Sequence, residues 1–512
     1  MLMWILIAIA ALLALLVLYD LLQRRHAILH NYPIIGHFRY LFESIGPELR
    51  QYIVTSNDEE RPFSRDQRRW IYSSSKKENN YFGFGTDNDL EHASNYLILK
   101  HSAFPVPAPA PGQDGYDPLH NLPCAKVLGQ ARGRRHAFRP SSVVNVSAMS
   151  YGSLSPRAIE ALNRGCAMSN AMHNTGEGGI SPYHLKGGEL IWQLGTGYFG
   201  CRDEKGRFSM ERLVAGVADR PVKAIEIKLS QGAKPGKGGV LPAAKITEEI
   251  AEIRGIPRGV DCISPSHHSA FGDVDSMLDF VEAIADATGL PVGIKSAVGE
   301  LEFWRELAGA MADGQRGVDY IAIDGGEGGT GAAPLTFSDH VALPFKLGMS
   351  RVYREFAAHG LHHKIVFIGA GRLGFPEEAL FAMGLGCDLI YVAREAMLAI
   401  GCIQAQACHT GHCPAGVATQ SKWLMRGLDP TIKSARMANY FVCLRKEMLE
   451  LSHACGAVHP ALVTLDRFDI LDNHLSSRPA REVFAYEDDW GMPAEADRQQ
   501  IAVVMKSAAA AA

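Results

Sequence analysis

Runs of like charge are missing from this chain, and no stripe interleaves basic with aromatic residues. Its 51 Lys and Arg stand against 55 Asp and Glu, a net charge of -4, so nothing in it calls for a nucleic-acid partner. Cysteine is sparse: 10 residues scattered over 512 positions do not make a disulfide scaffold, and they suit a reducing compartment. No internal repeat is visible. What is present is an ordinary globular balance, 47% hydrophobic and 21% charged, with room for a large core. That length gives two or three domains, or one α/β barrel with extensions.

The first segment departs from this balance. Leu2 to Tyr19 is 18 residues without a charge, close to what a bilayer core requires. Neither the basic start nor the small-residue cleavage site of a secretory signal is evident. Arg24, Arg25 and His26 follow the apolar run, so the positive-inside rule puts the N-terminus outside and the body in the cytoplasm. The expectation is a single-pass membrane anchor over 1–23. A mixed extension and linker over 24–122 follows, including the Pro/Ala run Phe104–Gly112, which favours extended structure on a surface.

After Pro140 short β-branched runs alternate with helical periodicity. The runs are Val143–Val146, one near Ala171, Ala224–Leu229, Val260–Ile263, Pro291–Ile294, Tyr320–Ile323, Lys364–Ile368 and Asp388–Val392. The segment 273–288 reads as an intervening helix with an acidic first turn. This alternation predicts an α/β fold, a closed (β/α)8 TIM barrel over 123–475 with a tail over 476–512; an open doubly wound sheet is the competing arrangement. Chemistry in such a barrel belongs after the strands, and unusual residues do follow them: SAMSYG at 147–152, NTGEGG at 174–179, QGAKPGKGG at 231–239, SPSHH at 264–268, DGGEGGTG at 324–331 and GAGRLG at 369–374.

GAGRLG matches the G-x-G-x-x-G fingerprint, but on the seventh predicted strand, and the next strand ends at Ala393-Arg394 with no carboxylate for a ribose. Gly369, Gly371, Ala393 and Arg394 therefore suit the phosphate of a mononucleotide, FMN rather than NAD. Ala148, Met149 and Ser150 after the first strand, with Asp324, Gly325 and Gly326 after the sixth, are the other residues expected against the cofactor, since glycine lets backbone approach a flat ring. Lys295 ends a buried strand and needs an anionic partner, either a reduced flavin or a salt bridge. Lys228, Lys234 and Arg254 are cations that suit a dicarboxylate. Glu177 could bind an amino group or manage a proton, and Gln231 could orient the substrate. Cys402, Cys408 and Cys413, spaced C-x5-C-x4-C, have three readings: iron–sulfur ligands, a zinc site completed by His409 or His412, or ordinary buried thiols.

Together, MSYGSLS (149–155), NTGEGG, KLSQGAKPGKGG (228–239), IRGIPRGVD (253–261), ISPSHH (263–268), DGGEGGTGAAP (324–334) and the cysteine run ending in GVATQ make the chain resemble the FMN-binding synthase domain of glutamate synthases. The likeness covers about Ser141 to Gln420. It implies FMN at the barrel mouth and a [3Fe-4S] cluster on Cys402, Cys408 and Cys413 within 401–420, in preference to zinc. It also implies that reduced FMN passes hydride to 2-iminoglutarate, formed from 2-oxoglutarate and ammonia, giving L-glutamate. Lys228, Gln231, Lys234, Arg254 and Glu177 fall at the family's substrate-side positions and Lys295 beside the flavin. Departures are Tyr198-Phe199-Gly200 where Arg-Phe-Gly is expected, Lys237 where an acid is usual, and SAFGDVDSM after His268. No amidotransferase cysteine follows Met1, and about 90 residues after the cluster loop leave no room for the family's β-helical domain. The expectation is a stand-alone, membrane-anchored enzyme using free or partner-delivered ammonia, with electrons from an external donor such as ferredoxin or a reductase. An alkylamine in place of ammonia would make it an N-alkylglutamate synthase, and a non-catalytic membrane flavoprotein relaying electrons is the reading from another class.

Overall fold

The computed structural model describes residues 1–23, 26–54, 58–113, 115–472 and 474–510. It divides into two units, Met1–Trp70 and Ile71–Ala512. In the first, helix α1 (Leu2–Leu22) has a mean hydropathy of 2.8 over its apolar window, none of it buried. It is long and apolar enough to cross a membrane, a property that signal sequences share. Two further helices follow, α2 (Ala27–Asn31) and α3 (Ile35–Leu49). Arg24 and Arg25, on which the expected orientation rests, lie outside the described residues.

The second unit is built on a closed barrel of eight parallel strands. They are β1 (Val144–Val146), β2 (Met172–Asn174), β3 (Glu189–Leu194), β4 (Val222–Lys228), β5 (Val292–Ser296), β6 (Tyr320–Asp324), β7 (Val366–Ala370) and β8 (Leu389–Val392). Each pairs with its neighbour in sequence, and Ile390 opposite Val144 closes the ring. The barrel is therefore the expected (β/α)8 fold, reached with one exchange of strands. Val260–Ile263 is not a stave: Cys262–Ile263 pairs antiparallel with Val240–Leu241 in a small hairpin, and Ile263 is 69% exposed. The stave in its place is β3, which the sequence hides because Gln193 interrupts the apolar run to hydrogen-bond inside the barrel. Lys228 thus ends the fourth strand, not the third.

Helices close over the staves by the expected logic. Val274–Thr288 starts at Asp273, whose carboxylate accepts from the Ser276 N–H at 2.8 Å, and ends at Gly289 with φ 74°. It buries Met277, Leu278, Val281, Ile284 and Ala285 on one face. The 25-residue helix Pro430–Ala454 lies against Pro156–Met168 at Gly165, where a Cβ would come within 2.5 Å of Met437. Outside the barrel, Leu97–Leu99, Phe468–Leu471 and Ser477–Pro479 form a three-stranded antiparallel sheet joining the segment before the barrel to the one after it. Phe104–Gly112 forms neither helix nor strand.

Two glycines should respond oppositely to alanine. On β5, a Cβ at Gly293 would meet the ring of fully buried Tyr320 at 2.4 Å, so G293A should cost about 1–3 kcal/mol by overpacking. At Gly309, inside the exposed face of helix Glu302–Met311, nothing lies within 4 Å, so G309A should stabilise by up to about 1 kcal/mol. Denaturant midpoints of both variants measure this.

Candidate active site

On β4, alternation puts Glu226 and Lys228 on the same face, into the barrel. Glu226 is fully buried and accepts hydrogen bonds from Gln193 Nε2 at 2.6 Å, Asn174 Nδ2 at 2.7 Å and Tyr391 Oη at 2.9 Å, which ties four staves together beneath the mouth. One step up, Lys228 Nζ donates to Glu177 Oε1 at 2.8 Å and to Gln231 Oε1 at 3.2 Å. Gln231 in turn donates to the Gly329 carbonyl at 3.1 Å.

These groups wall a cavity of about 220 Å³ at the carboxyl ends of the strands, together with Lys234, Arg254, Lys295 and Cys408. All five substrate-side candidates, Glu177, Lys228, Gln231, Lys234 and Arg254, line it. Burial alone would raise the Glu177 carboxyl, but Lys228, then Lys234 and Arg254, outweigh it and hold it at about 2. Lys234 is 4% exposed, and among the described residues its ammonium makes a weak hydrogen bond, to the Gly238 carbonyl at 3.5 Å. Burial, with Lys228 adding to it, draws its ammonium down to about 8. Arg254, 5% exposed, donates to the Tyr151 carbonyl at 3.1 Å, lies 5.2 Å from the centroid of the Phe199 ring, and leaves its buried Nε without a partner.

On the neighbouring stave, β5, Lys295 pairs in register with Lys228, and its Nζ is 3.4 Å from Asp324 Oδ2. The same carboxylate oxygen accepts from the Gly232 N–H at 2.9 Å, joining the loops after β4 and β6. A smaller adjoining recess is lined by Ala148, Lys295, Asp324, Gly371, Ala393 and Arg394. Met149 and Ser150 face the main cavity. Arg394 runs behind Gly329, where a Cβ would come within 2.5 Å of its Cδ, and donates to the Glu327 carbonyl. Gly325, Gly326 and Gly369 sit back from both spaces. A Cβ would meet Glu327 and Phe345 at Gly325, Ala342 at Gly326, and Leu373 and Phe345 at Gly369, so protein packing already requires these glycines.

The cysteine loop is tied to the mouth by hydrogen bonds: Ser155 N–H donates to Val417 O at 2.8 Å, and the Gln420 side chain donates through Nε2 to Leu154 O at 2.9 Å. Cys413 is buried, and Cys402 and Cys408 are half-buried. Burial pushes the Cys402 thiol up to about 12, and Cys408 and Cys413 add to the rise, so the three sulfurs lie within electrostatic reach of one another. Among the described residues they form no set of ligand atoms all within 4.8 Å of one another, wider than the roughly 3.8 Å between thiolates on one tetrahedral zinc. Cys408 meets the loop after β6 at Gly331, where a Cβ would be 3.3 Å from its own.

Two positions singled out in the sequence point elsewhere. Tyr198 is fully buried, and its hydroxyl donates to His268 Nδ1 at 2.9 Å, while His268 Nε2 donates to the Lys228 carbonyl at 2.9 Å. This chain steadies the end of β4 from outside the cavity. Lys237 is exposed, 5.3 Å from the centroid of the Phe337 ring. Sequence reasoning passed over Lys245, which lines the cavity and donates to the Cys408 carbonyl at 2.6 Å. It also passed over Glu226, although a charge two positions before Lys228 in an apolar strand was a usable signal.

The family described as a conserved region in glutamate synthase matches residues 130–458. The glutamate synthase large subunit-like protein YerD of Bacillus subtilis (strain 168) is 37% identical over 468 residues, covering 86% of this chain and 88% of its own. An archaeal-type glutamate synthase (NADPH) of Thermotoga neapolitana is 37% identical over 317 residues, 61% of this chain and 59% of its own. A flavocytochrome b2 variant with bound sulfite shares 14% identity and a TM-score of 0.43 over 88% of this chain and 89% of its own; the barrel rests on its own strand register without that likeness. The chain belongs to the glutamate synthase family of oxidoreductases.

Proposed function

We propose that this protein reduces 2-iminoglutarate, formed from 2-oxoglutarate and ammonia, to L-glutamate, with FMN in the barrel mouth and a [3Fe-4S] cluster on Cys402, Cys408 and Cys413. The observation that carries the reading is that Lys295, Cys408 and the substrate-side cations open onto one cavity. The residues fit both groups. The recess between the loops after β7 and β8, with Gly371 and Arg394, suits a phosphate, and Lys295, which lines the same recess, would hold the flavin ring. Three cysteines close in sequence, two half-buried and one buried, with Cys408 and Cys413 within electrostatic reach of Cys402, suit the ligand set of an iron–sulfur cluster. When bound, the cluster would pass electrons from an external donor such as ferredoxin or a reductase, and the flavin would deliver hydride.

This chain's own residues bind and orient. Lys234 and Arg254 carry the least compensated positive charge in the cavity and would each take one carboxylate of 2-oxoglutarate, Arg254 as a fork and Lys234 as a point charge. Lys228, held by Glu177 and Gln231, would donate a proton to the departing carbonyl oxygen as the imine forms. Ionised Glu177 would attract and orient the ammonium. Segment 1–23 would anchor the protein by one membrane pass, with the barrel in the cytoplasm. An alkylamine as co-substrate, giving an N-alkylglutamate, is the variant that the same assay separates.

Three results are expected. Anaerobic protein given dithionite, 2-oxoglutarate and ammonium or an alkylamine should form glutamate or its N-alkyl derivative by chromatography, and R254M should lose about 100-fold in turnover with FMN retained. Turnover with no amine, although FMN and cluster are reducible, would leave the electron-relay reading. Affinity for glutarate, titrated calorimetrically, should be flat between about pH 6.5, where both its carboxylates are ionised, and pH 8 and fall above that, because binding a dianion needs Lys234 protonated and its ammonium sits at about 8; K234R should remove that break. C408S should lose iron by elemental analysis while keeping FMN.

A further inference from the structure

Helix α3 reverses the arrangement of a helix on a soluble protein. The side it turns to its neighbours is small or polar. Gly36 is buried, and a Cβ there would lie 3.0 Å from Leu29 Cδ2 on α2. His37 Nε2 is 3.0 Å from both carboxylate oxygens of Asp20 on α1, and the Tyr40 ring meets His26 edge-on at 5.4 Å between centroids. The bare side is apolar. Ile35, Phe38, Leu41, Phe42, Ile45 and Leu49 are between 37% and 71% exposed, and their spacing makes one continuous stripe. Ile53 and Val54 just beyond the helix continue it, 74% and 73% exposed.

Charge limits what can cover that stripe. Arg39 and Glu43 pair at 2.7 Å on the flank, and Glu48 follows, so immersion of the whole helix in hydrocarbon is ruled out. Its starting point is set by α1. Asp20, fully buried near the end of α1, accepts from the Ile34 N–H at 3.1 Å and holds His37, which pins the first turn of α3 beside the last turn of α1. α1 itself is bare and apolar all round, with Trp4 near one end and Tyr19 near the other.

We infer that α3 lies along the membrane–water interface beside α1, its apolar stripe set into the boundary between lipid headgroups and acyl chains. The inference rests on α1 being an anchor. The occupant is lipid because the stripe begins where α1 leaves the hydrocarbon and is continuous with the surface that α1 itself must bury. Bound this way, the 27–54 segment is a foot on the bilayer rather than a free tether.

The full chain, reconstituted in nanodiscs of phosphatidylcholine brominated near the headgroup end of its acyl chains, tests this. F42W reports the stripe and S44W the polar side, each with the native tryptophan emission subtracted. The added emission of F42W should fall about twofold against unbrominated lipid, and that of S44W should not change. An unquenched F42W, whether from water exposure or from a second copy covering the stripe, overturns the inference, as does equal quenching of both. Alkaline carbonate extraction separates the two readings. Release of the protein defeats the anchor and the interfacial helix together, whereas retention with F42W unquenched defeats the interfacial helix alone.

Discussion

Burying several cations in one barrel mouth is the constraint around which the site is arranged. A lysine or arginine taken out of water needs an anion or a full set of acceptors. Lys228 has Glu177 at 2.8 Å and Lys295 has Asp324 at 3.4 Å, while Arg394 and Lys245 lean on carbonyls of Glu327 and Cys408. Lys234 and Arg254 are left undercompensated, and Glu177 cannot serve them all. The surplus is positive and confined, and it is the basis for the proposal of an anion with two charged ends.

The same economy of charge governs the cysteine loop. The Cys402 thiol, whose proton affinity is raised by burial and then by Cys408 and Cys413, is stable when neutral, or as a thiolate once a cationic centre joins it. Lys245, reaching Cys408 from the loop after β4, makes the substrate-side and cysteine-side walls one electrostatic unit. The polar network on Glu226 is the floor beneath both. It links β2, β3, β4 and β8 through buried hydrogen bonds, so the ends of those staves hold their places. Catalytic geometry of this kind depends on rigid elements below the reacting groups.

Much of this was readable along the chain, for identifiable reasons. The glycine-rich loops announce themselves because backbone crowding has a local signature, and seven staves show because β-branched runs pack on a pleated surface. Val260–Ile263 has the same texture and misled for that reason: a short apolar run cannot say whether it will pair parallel in a barrel or antiparallel in a hairpin. β3 escaped because an inward glutamine looks like solvent exposure until its partner, Glu226 on the next stave, is known. Glycines 325, 326 and 369 were visible, but what crowds them, Glu327, Ala342, Phe345 and Leu373, was not.

Sequence alone determined the barrel class, the apolar first helix, and the residue types that meet at the mouth, because each depends on order and spacing over a few positions. Tertiary structure decided which lysines face an anion and which do not, that Lys245 stands against Cys408 though 163 positions away, and that α3 turns its apolar side outward. Those are questions of distance between remote segments, and the electrostatic and packing energies that answer them exist only after the chain has closed on itself.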